Sequence, residues 1–140
     1  PCAHTLLITL RGRGVRPAIS FIPSSVLAIG PTPSGVTIDE PVQLINSGNT
    51  PLTVSAITLN PPHPRLTLIN VPTVPFVLLQ GQSRSVTVRF TPDRTENINV
   101  SLCVHWTDPC ADSSCLAVGA TSGDAPTITV DTTHDVCLQR

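Results

Sequence analysis

Val42-Gln43-Leu44-Ile45-Asn46-Ser47-Gly48-Asn49-Thr50-Pro51-Leu52-Thr53-Val54-Ser55-Ala56-Ile57-Thr58-Leu59 reads as two strands joined by a turn. Val42 and Leu44 point one way on the first strand, with Gln43 between them. Ser47 to Pro51 makes the turn: Asn46 can bond its own backbone there, Gly48 and Asn49 tolerate positive φ, and Pro51 fixes the exit. The second strand alternates until its pattern slips between Val54 and Ile57, which predicts a bulge.

The same period extends along the chain in both directions. Upstream, Pro17 to Phe21 opens a strand that Val26 to Ile29 continues after a Pro-Ser kink, and Gly30 to Gly35 is a loop. Downstream, Asn60 to Pro64 is a proline-rich loop, and Phe76 to Leu79 is a short strand. Gly81 permits a tight hairpin into Ser85–Phe90, the clearest strand in the chain, where Val86, Val88 and Phe90 face one way. Ile98, Val100, Leu102, Val104 and Trp106 line one face of the next strand. Asn99, Ser101, Cys103 and His105 line the other. Thr107 to Ser114 reads as a loop and Cys115 to Gly119 as the last strand. About seven short strands with turns between them predict an all-β antiparallel sandwich or barrel. The expected core is Val42, Leu44, Val54, Val86, Val88, Phe90, Leu102, Val104 and Trp106.

Composition agrees. The 140 residues include 15 prolines and 8 glycines, which helices tolerate poorly. Apolar residues make up 40% and charged residues 12%, too little charge for a disordered tail. All eight basic residues are arginine, and the net charge of −1 offers no field for nucleic acid or an anionic membrane. Aromatics total 3%, too few for a base-stacking platform. No apolar run approaches the ~20 residues of a membrane span, so no membrane insertion is expected.

The ends of the chain repeat one another. Pro1-Cys2-Ala3 matches Pro109-Cys110-Ala111 at an offset of 108 residues, and Pro17-Ala18-Ile19-Ser20-Phe21 matches Pro126-Thr127-Ile128-Thr129-Val130 at an offset of 109. Leu6 to Gly12 falls where Ser114 to Ala120 falls. Residues 1–14 are therefore expected to be the last strand of a preceding repeat or an N-terminal extension, residues 15–123 one full sandwich, and residues 124–140 the start of a following repeat or a C-terminal strand.

Two runs also resemble a known family. Residues 42–59 resemble the N-x-G-N-x-P-L-x-V signature of ASH-like domains, which include the choice-of-anchor D repeats of bacterial surface proteins. Leu79-Gln80-Gly81-Gln82-Ser83-Arg84-Ser85-Val86-Thr87-Val88-Arg89-Phe90-Thr91-Pro92 resembles the family's L-x-P-G-Q-S-x-x-V-x-V-x-F-x-P run, with Gln80 where the family has proline. Gly12-Arg13-Gly14-Val15-Arg16-Pro17 is similar to the junction between adjacent repeats. The resemblance implies an immunoglobulin-like sandwich related to the pilus-chaperone and sperm-protein folds. It also implies tandem copies in large secreted, cell-surface or periplasmic proteins, or in ciliary ones. The cysteines near the end of this repeat depart from the family.

Five cysteines favour an oxidising compartment. Cys103, His105, Cys110 and Cys115 could in principle hold zinc, but the spacing lacks a C-x2-C knuckle. A turn centred near Pro109 instead brings Cys103 opposite Cys115, so a disulfide is expected there, with Cys103–Cys110 and Cys110–Cys115 as the other pairings. Cys2 and Cys137 are disulfide candidates whose partners lie in neighbouring repeats. Asn99-Val100-Ser101 is a glycosylation sequon on the outward face. Pro61, Pro62, His63 and Pro64, with Asp112, are candidate contacts for a partner held by the loops at one end.

His105, Asp108, Asp112, Ser113 and Ser114 lie near one loop, yet no nucleophile elbow accompanies them, and serine and aspartate are ordinary turn residues. No enzyme activity, metal or cofactor is expected. The expected role is a structural or spacer module whose partners are neighbouring repeats or other copies of itself. A protein- or glycan-binding adhesion module, and an intracellular ciliary or centrosomal interaction domain, are the alternatives.

Overall fold

The computed structural model describes residues 3–123. It contains nine strands: β1 (Ile19–Ile22), β2 (Val26–Thr32), β3 (Ile38–Asn46), β4 (Leu52–Asn60), β5 (Leu66–Ile69), β6 (Phe76–Leu78), β7 (Ser83–Phe90), β8 (Glu96–Asp108) and β9 (Asp112–Ser122). They form a four-stranded sheet, β1-β3-β7-β5, and a five-stranded sheet, β2-β9-β8-β4-β6. The protein is an all-β, immunoglobulin-like sandwich: of the two architectures the alternation allowed it is the sandwich, as the family resemblance implied. No helix of the described residues is long and apolar enough to cross a membrane.

The core lies between the sheets. All nine expected core side chains are buried, and Leu116, Val118 and Ala120 of β9 join them. Strands with one face on the core and one in water alternate cleanly, which is why period-2 reading located them. Phe90 is wholly enclosed at the end of β7, paired across to Ile38 of β3 and Leu66 of β5.

Three expectations need correction. The strand count is nine, because the Pro23-Ser24-Ser25 kink hands the chain from one sheet to the other and splits one expected strand into β1 and β2. β5 lies in the stretch after the proline-rich loop, where no strand was expected. The sandwich is not wholly antiparallel: β2 runs parallel to β9, since it keeps the heading of β1 while changing sheets. The expected bulge in β4 is present, as register shifts against β8 on either side of Val54.

The Thr107–Ser114 loop is also shorter than expected. β8 runs to Asp108 and β9 starts at Asp112, leaving Pro109, Cys110 and Ala111 as the hairpin tip. Residues 3–16 carry no strand and are exposed. The expected strand at residues 124–140, like Cys2 and Cys137, lies outside the described residues.

Candidate functional site

Strand register defines two ends of the sandwich. Ile19 pairs with Asn46, so the chain enters β1 beside the turn that follows β3. Thr53 pairs with Asp108, which puts the β8–β9 tip at this same entry end. Asn60 pairs with Ser101 and Glu96 with Ser122, so the proline-rich loop and the close of β9 lie at the opposite, exit end. The chain thus enters at one end and leaves at the other.

Asn46 organises the entry end. Its side chain is buried at 1% exposure, inside a turn. Its Oδ1 accepts from the Gly48 N–H at 3.0 Å, the self-bonding that the sequence predicts. Its Nδ2 donates to the Thr50 carbonyl at 2.8 Å and the Leu78 carbonyl at 2.9 Å. Its main chain bonds Gln82 and Gly81. One side chain therefore joins the β3–β4 turn to the end of β6, in the opposite sheet.

The rest of the turn grips the incoming chain. The Ser47 and Gly48 N–H groups donate to the Ala18 carbonyl at 3.0 and 3.2 Å, and the Asn49 N–H donates to the Arg16 carbonyl at 3.1 Å. The Asn49 side chain closes the grip: Oδ1 accepts from the Arg16 N–H at 2.6 Å, and Nδ2 donates to the Gly14 carbonyl at 2.9 Å. Gly48 and Asn49 do not use the positive φ that their chemistry tolerates, and neither is left-handed. Glycine is required at 48 for room. A Cβ there would overlap the Arg16 carbonyl oxygen and stand 2.8 Å from the Ala18 nitrogen. Both are backbone atoms of the gripped segment, so they can move only if the grip loosens. Gly48→Ala should cost about 1–3 kcal/mol, the range for overfilling a packed site. Urea unfolding measures it; a loss under about 0.5 kcal/mol would mean that the contact is loose.

At the exit end, Ser122 is buried, its Oγ donating to the Arg94 carbonyl at 2.5 Å and accepting from the Glu96 N–H at 2.9 Å. The Gly123 N–H donates to the Thr32 carbonyl at 3.1 Å. The chain is thus held to the sandwich up to Gly123. Arg65 pairs with Asp93 nearby. An open, mostly apolar groove of about 330 Å³ lies between β4 and β5, lined by Ile57, Leu59, Leu66, Leu68, Pro62 and His63.

Of the expected partner contacts, Pro61, Pro62 and Pro64 are exposed and His63 half-buried at the exit end, while Asp112 is exposed at the entry end. They cannot serve one loop cluster, because antiparallel β4 and β8 separate them by the length of the sandwich. Asn99 is exposed on the outer face of β8, as expected. Asp39 of β3 pairs with Arg89 across the outer face; the hydrogen bond from that guanidinium holds its carboxyl below the ordinary carboxylate range, against the opposing effect of desolvation and with the attraction of the Arg89 charge beside it.

Cys103 and Cys115 are directly opposed in the β8–β9 ladder and form a disulfide, with Cα atoms 4.1 Å apart. Two of the four residues considered for zinc are therefore bonded to each other, and His105 Nε2 lies instead 3.3 Å from the Thr58 hydroxyl. Cys103 is buried at 5% although it points outward, because its strand is flanked by β4 and β9 on both sides. Cys110 is exposed at the hairpin tip and is in no disulfide among the described residues. The bridge closes a loop of 12 residues. Removing it with Cys103→Ala and Cys115→Ala together should cost about 2–3 kcal/mol of stability. Chemical denaturation of the variant against the oxidised chain measures this, and equal midpoints would contradict it.

No family model matches the sequence, and no curated protein matches it significantly. Solved structures do. An ASH/PapD-like domain of human CEP192 (PapD-like domain 7) superposes with a TM-score of 0.56 at 13% identity, covering 89% of this chain and all of that one. The fold is that of the ASH/PapD-like immunoglobulin sandwiches. The Escherichia coli chaperone DraB superposes with a TM-score of 0.52 at 17% identity, covering 74% of this chain and 54% of DraB. SSP-19, an MSP-domain protein of Caenorhabditis elegans, gives 0.52 at 13% identity over 73% of this chain and 98% of its own. At such identities the likeness concerns the ASH/PapD-like fold alone.

Proposed function

We propose that this ASH/PapD-like sandwich is a non-catalytic structural module, one of a series joined end to end in a secreted or cell-surface protein. The observation that carries this reading is directional: the chain enters at one end and leaves at the other, so copies in series would form a rod.

Residues 5–12 supply further support. Leu6, Leu7, Ile8 and Leu10 are 67–88% exposed. Water is a poor place for four large apolar side chains within five residues, and such a patch marks a surface that expects a partner. At the repeat offset of 108, Ile8 and Leu10 fall on Leu116 and Val118, the two large core positions of β9, and Gly12 falls on Ala120. The segment has the pattern of a β9 that closes a different sandwich. The disulfide favours an oxidising compartment over the ciliary alternative, and mass measurement of unreduced native protein would separate the two.

A chimera tests the array. Residues 15–108, with Cys103→Ser because Leu7 replaces Cys115, are joined directly to Pro1 of the whole chain. Residues 1–14 then stand where residues 109–122 stand. The expected result is two folded sandwiches, with a calorimetric heat of unfolding per chain about twice that of the single module, since that heat scales with the number of folded residues. A heat equal to that of one module would end the proposal.

A further inference from the structure

The grip of the Asn46–Thr50 turn on residues 14–18 has no evident purpose inside a single sandwich. The gripped residues add nothing to the core before Ile19, and Arg16 and Gly14 are exposed. We infer that the entry end is a docking surface for the exit end of a preceding sandwich of the same fold, with Asn49 as the residue that fixes the angle between them. This rests on the array reading for its partner, while the grip itself belongs to this domain.

The joint has no slack. At the repeat offset of 108, Gly14 takes the place of Ser122, the last residue of β9. In this domain Ser122 is tied to Arg94 and Glu96. The same Gly14 gives its carbonyl to Asn49 at 2.9 Å. One residue would thus end one sandwich while being held by the next. A flexible linker needs several unbonded residues between modules; here none intervenes. The two ends must then touch, the Ser47–Pro51 turn of one module against the loops that flank Ser122 in the other.

The chemistry of the turn fits that role. Asn49 uses both functions of its amide on main-chain atoms, two residues apart, of the incoming segment. An amide can accept at Oδ1 and donate at Nδ2 together; a carboxylate can only accept. The grip therefore fixes the direction in which the backbone leaves the domain, and not merely its position. Gly48 lets the segment lie close enough for both bonds.

Backbone relaxation on the 1–140 chain tests the grip alone. Val15 and Arg16 should show order parameters near ~0.85, like the strands, and the values should fall below ~0.6 on the N-terminal side of Gly12. Asn49→Ala should bring Val15 and Arg16 down to the flexible range and speed exchange of the Arg16 amide roughly tenfold, about the worth of one bond. Asn49→Asp, which keeps the acceptor, should leave the Arg16 amide slow while freeing Gly14. Flexible Val15 and Arg16 in the unaltered chain, or no response to either variant, would overturn the grip.

Residual dipolar couplings on the two-module chimera test the docking. One shared alignment tensor is expected, splitting into two with Asn49→Ala. Two folded modules with independent tensors would overturn the docking while leaving the array intact. Failure of the upstream module to fold would instead overturn the array reading.

Discussion

Asn46→Asp is expected to lower the stability of the sandwich by about 3–5 kcal/mol, the cost of a buried charge without a partner. The exchange keeps the size of the side chain and removes the donors. Thr50 and Leu78 lose the N–H that satisfies their carbonyls, and a carboxylate oxygen then faces both. Each buried group left without a partner costs about 1–3 kcal/mol. The acceptor bond from Gly48 survives, so the loss isolates the donor half of the amide. Domains are stable by roughly 5–15 kcal/mol in all, so a single atom exchange should bring the variant near the limit of folding at 37 °C. The sign with pH is fixed. Burial raises the carboxyl's affinity for its proton, so the deficit against the parent is largest at neutral pH and narrows as the pH falls. Urea unfolding of both chains at neutral and mildly acid pH measures it, and a deficit under about 1 kcal/mol at neutral pH would mean that Asn46 is not the bridge between the turn and β6.

Phe90→Ala is the second large effect, expected at about 3–5 kcal/mol. The ring is fully enclosed and sits where β7 pairs with Ile38 on one side and Leu66 on the other. Its loss leaves a cavity in the last layer of core before the exit end. β5 has only four residues and depends on β7 for its hydrogen bonds, so it should loosen first. Amide exchange of Thr67 and Ile69 should accelerate more than that of Val100 or Val118 in the other sheet. Phe90→Leu, which refills most of the space, should recover over half of the loss. Equal costs for both substitutions would place the ring's contribution outside packing.

These two residues show what a single sequence carries. Phe90 was legible as core because it ends an unbroken alternation, Val86-x-Val88-x-Phe90, whose period admits only one inner face. Asn46 was legible as a turn residue, since its self-bond to Gly48 is local. Its longer reach to Leu78 was not, because that carbonyl is brought up by the pairing of β6 with β4, across 32 residues. The opposed cysteines were readable and β5 was not: hairpin geometry follows from where a turn is centred, whereas Leu66–Ile69 has four residues after a proline-rich loop and only one buried side chain.

Gly48 carries a different lesson. Sequence chemistry offers turn glycines a positive φ, but this one serves close approach to a segment 30 residues upstream. Only the folded chain brings the two together. The ends of the sandwich were hidden in the same way. Nothing local says that Pro61 to Pro64 and Asp112 lie at opposite ends, because that depends on the antiparallel register of β4 with β8. The grip of Asn49 on Gly14 and Arg16 belongs to the same class of feature, and no spacing rule would have found it.

A series of such modules requires that Thr5 to Gly12 be the closing strand of another sandwich of this kind. Amide hydrogen exchange at Leu6, Ile8 and Leu10, followed in the 1–140 chain and in the chimera with residues 15–108 placed ahead of Pro1, decides this. Exchange near the unprotected rate is expected in the first, and slowing by at least roughly a hundredfold in the second, as in the strands of a folded sheet. Equally fast exchange in both, with the upstream residues soluble and present, would contradict it.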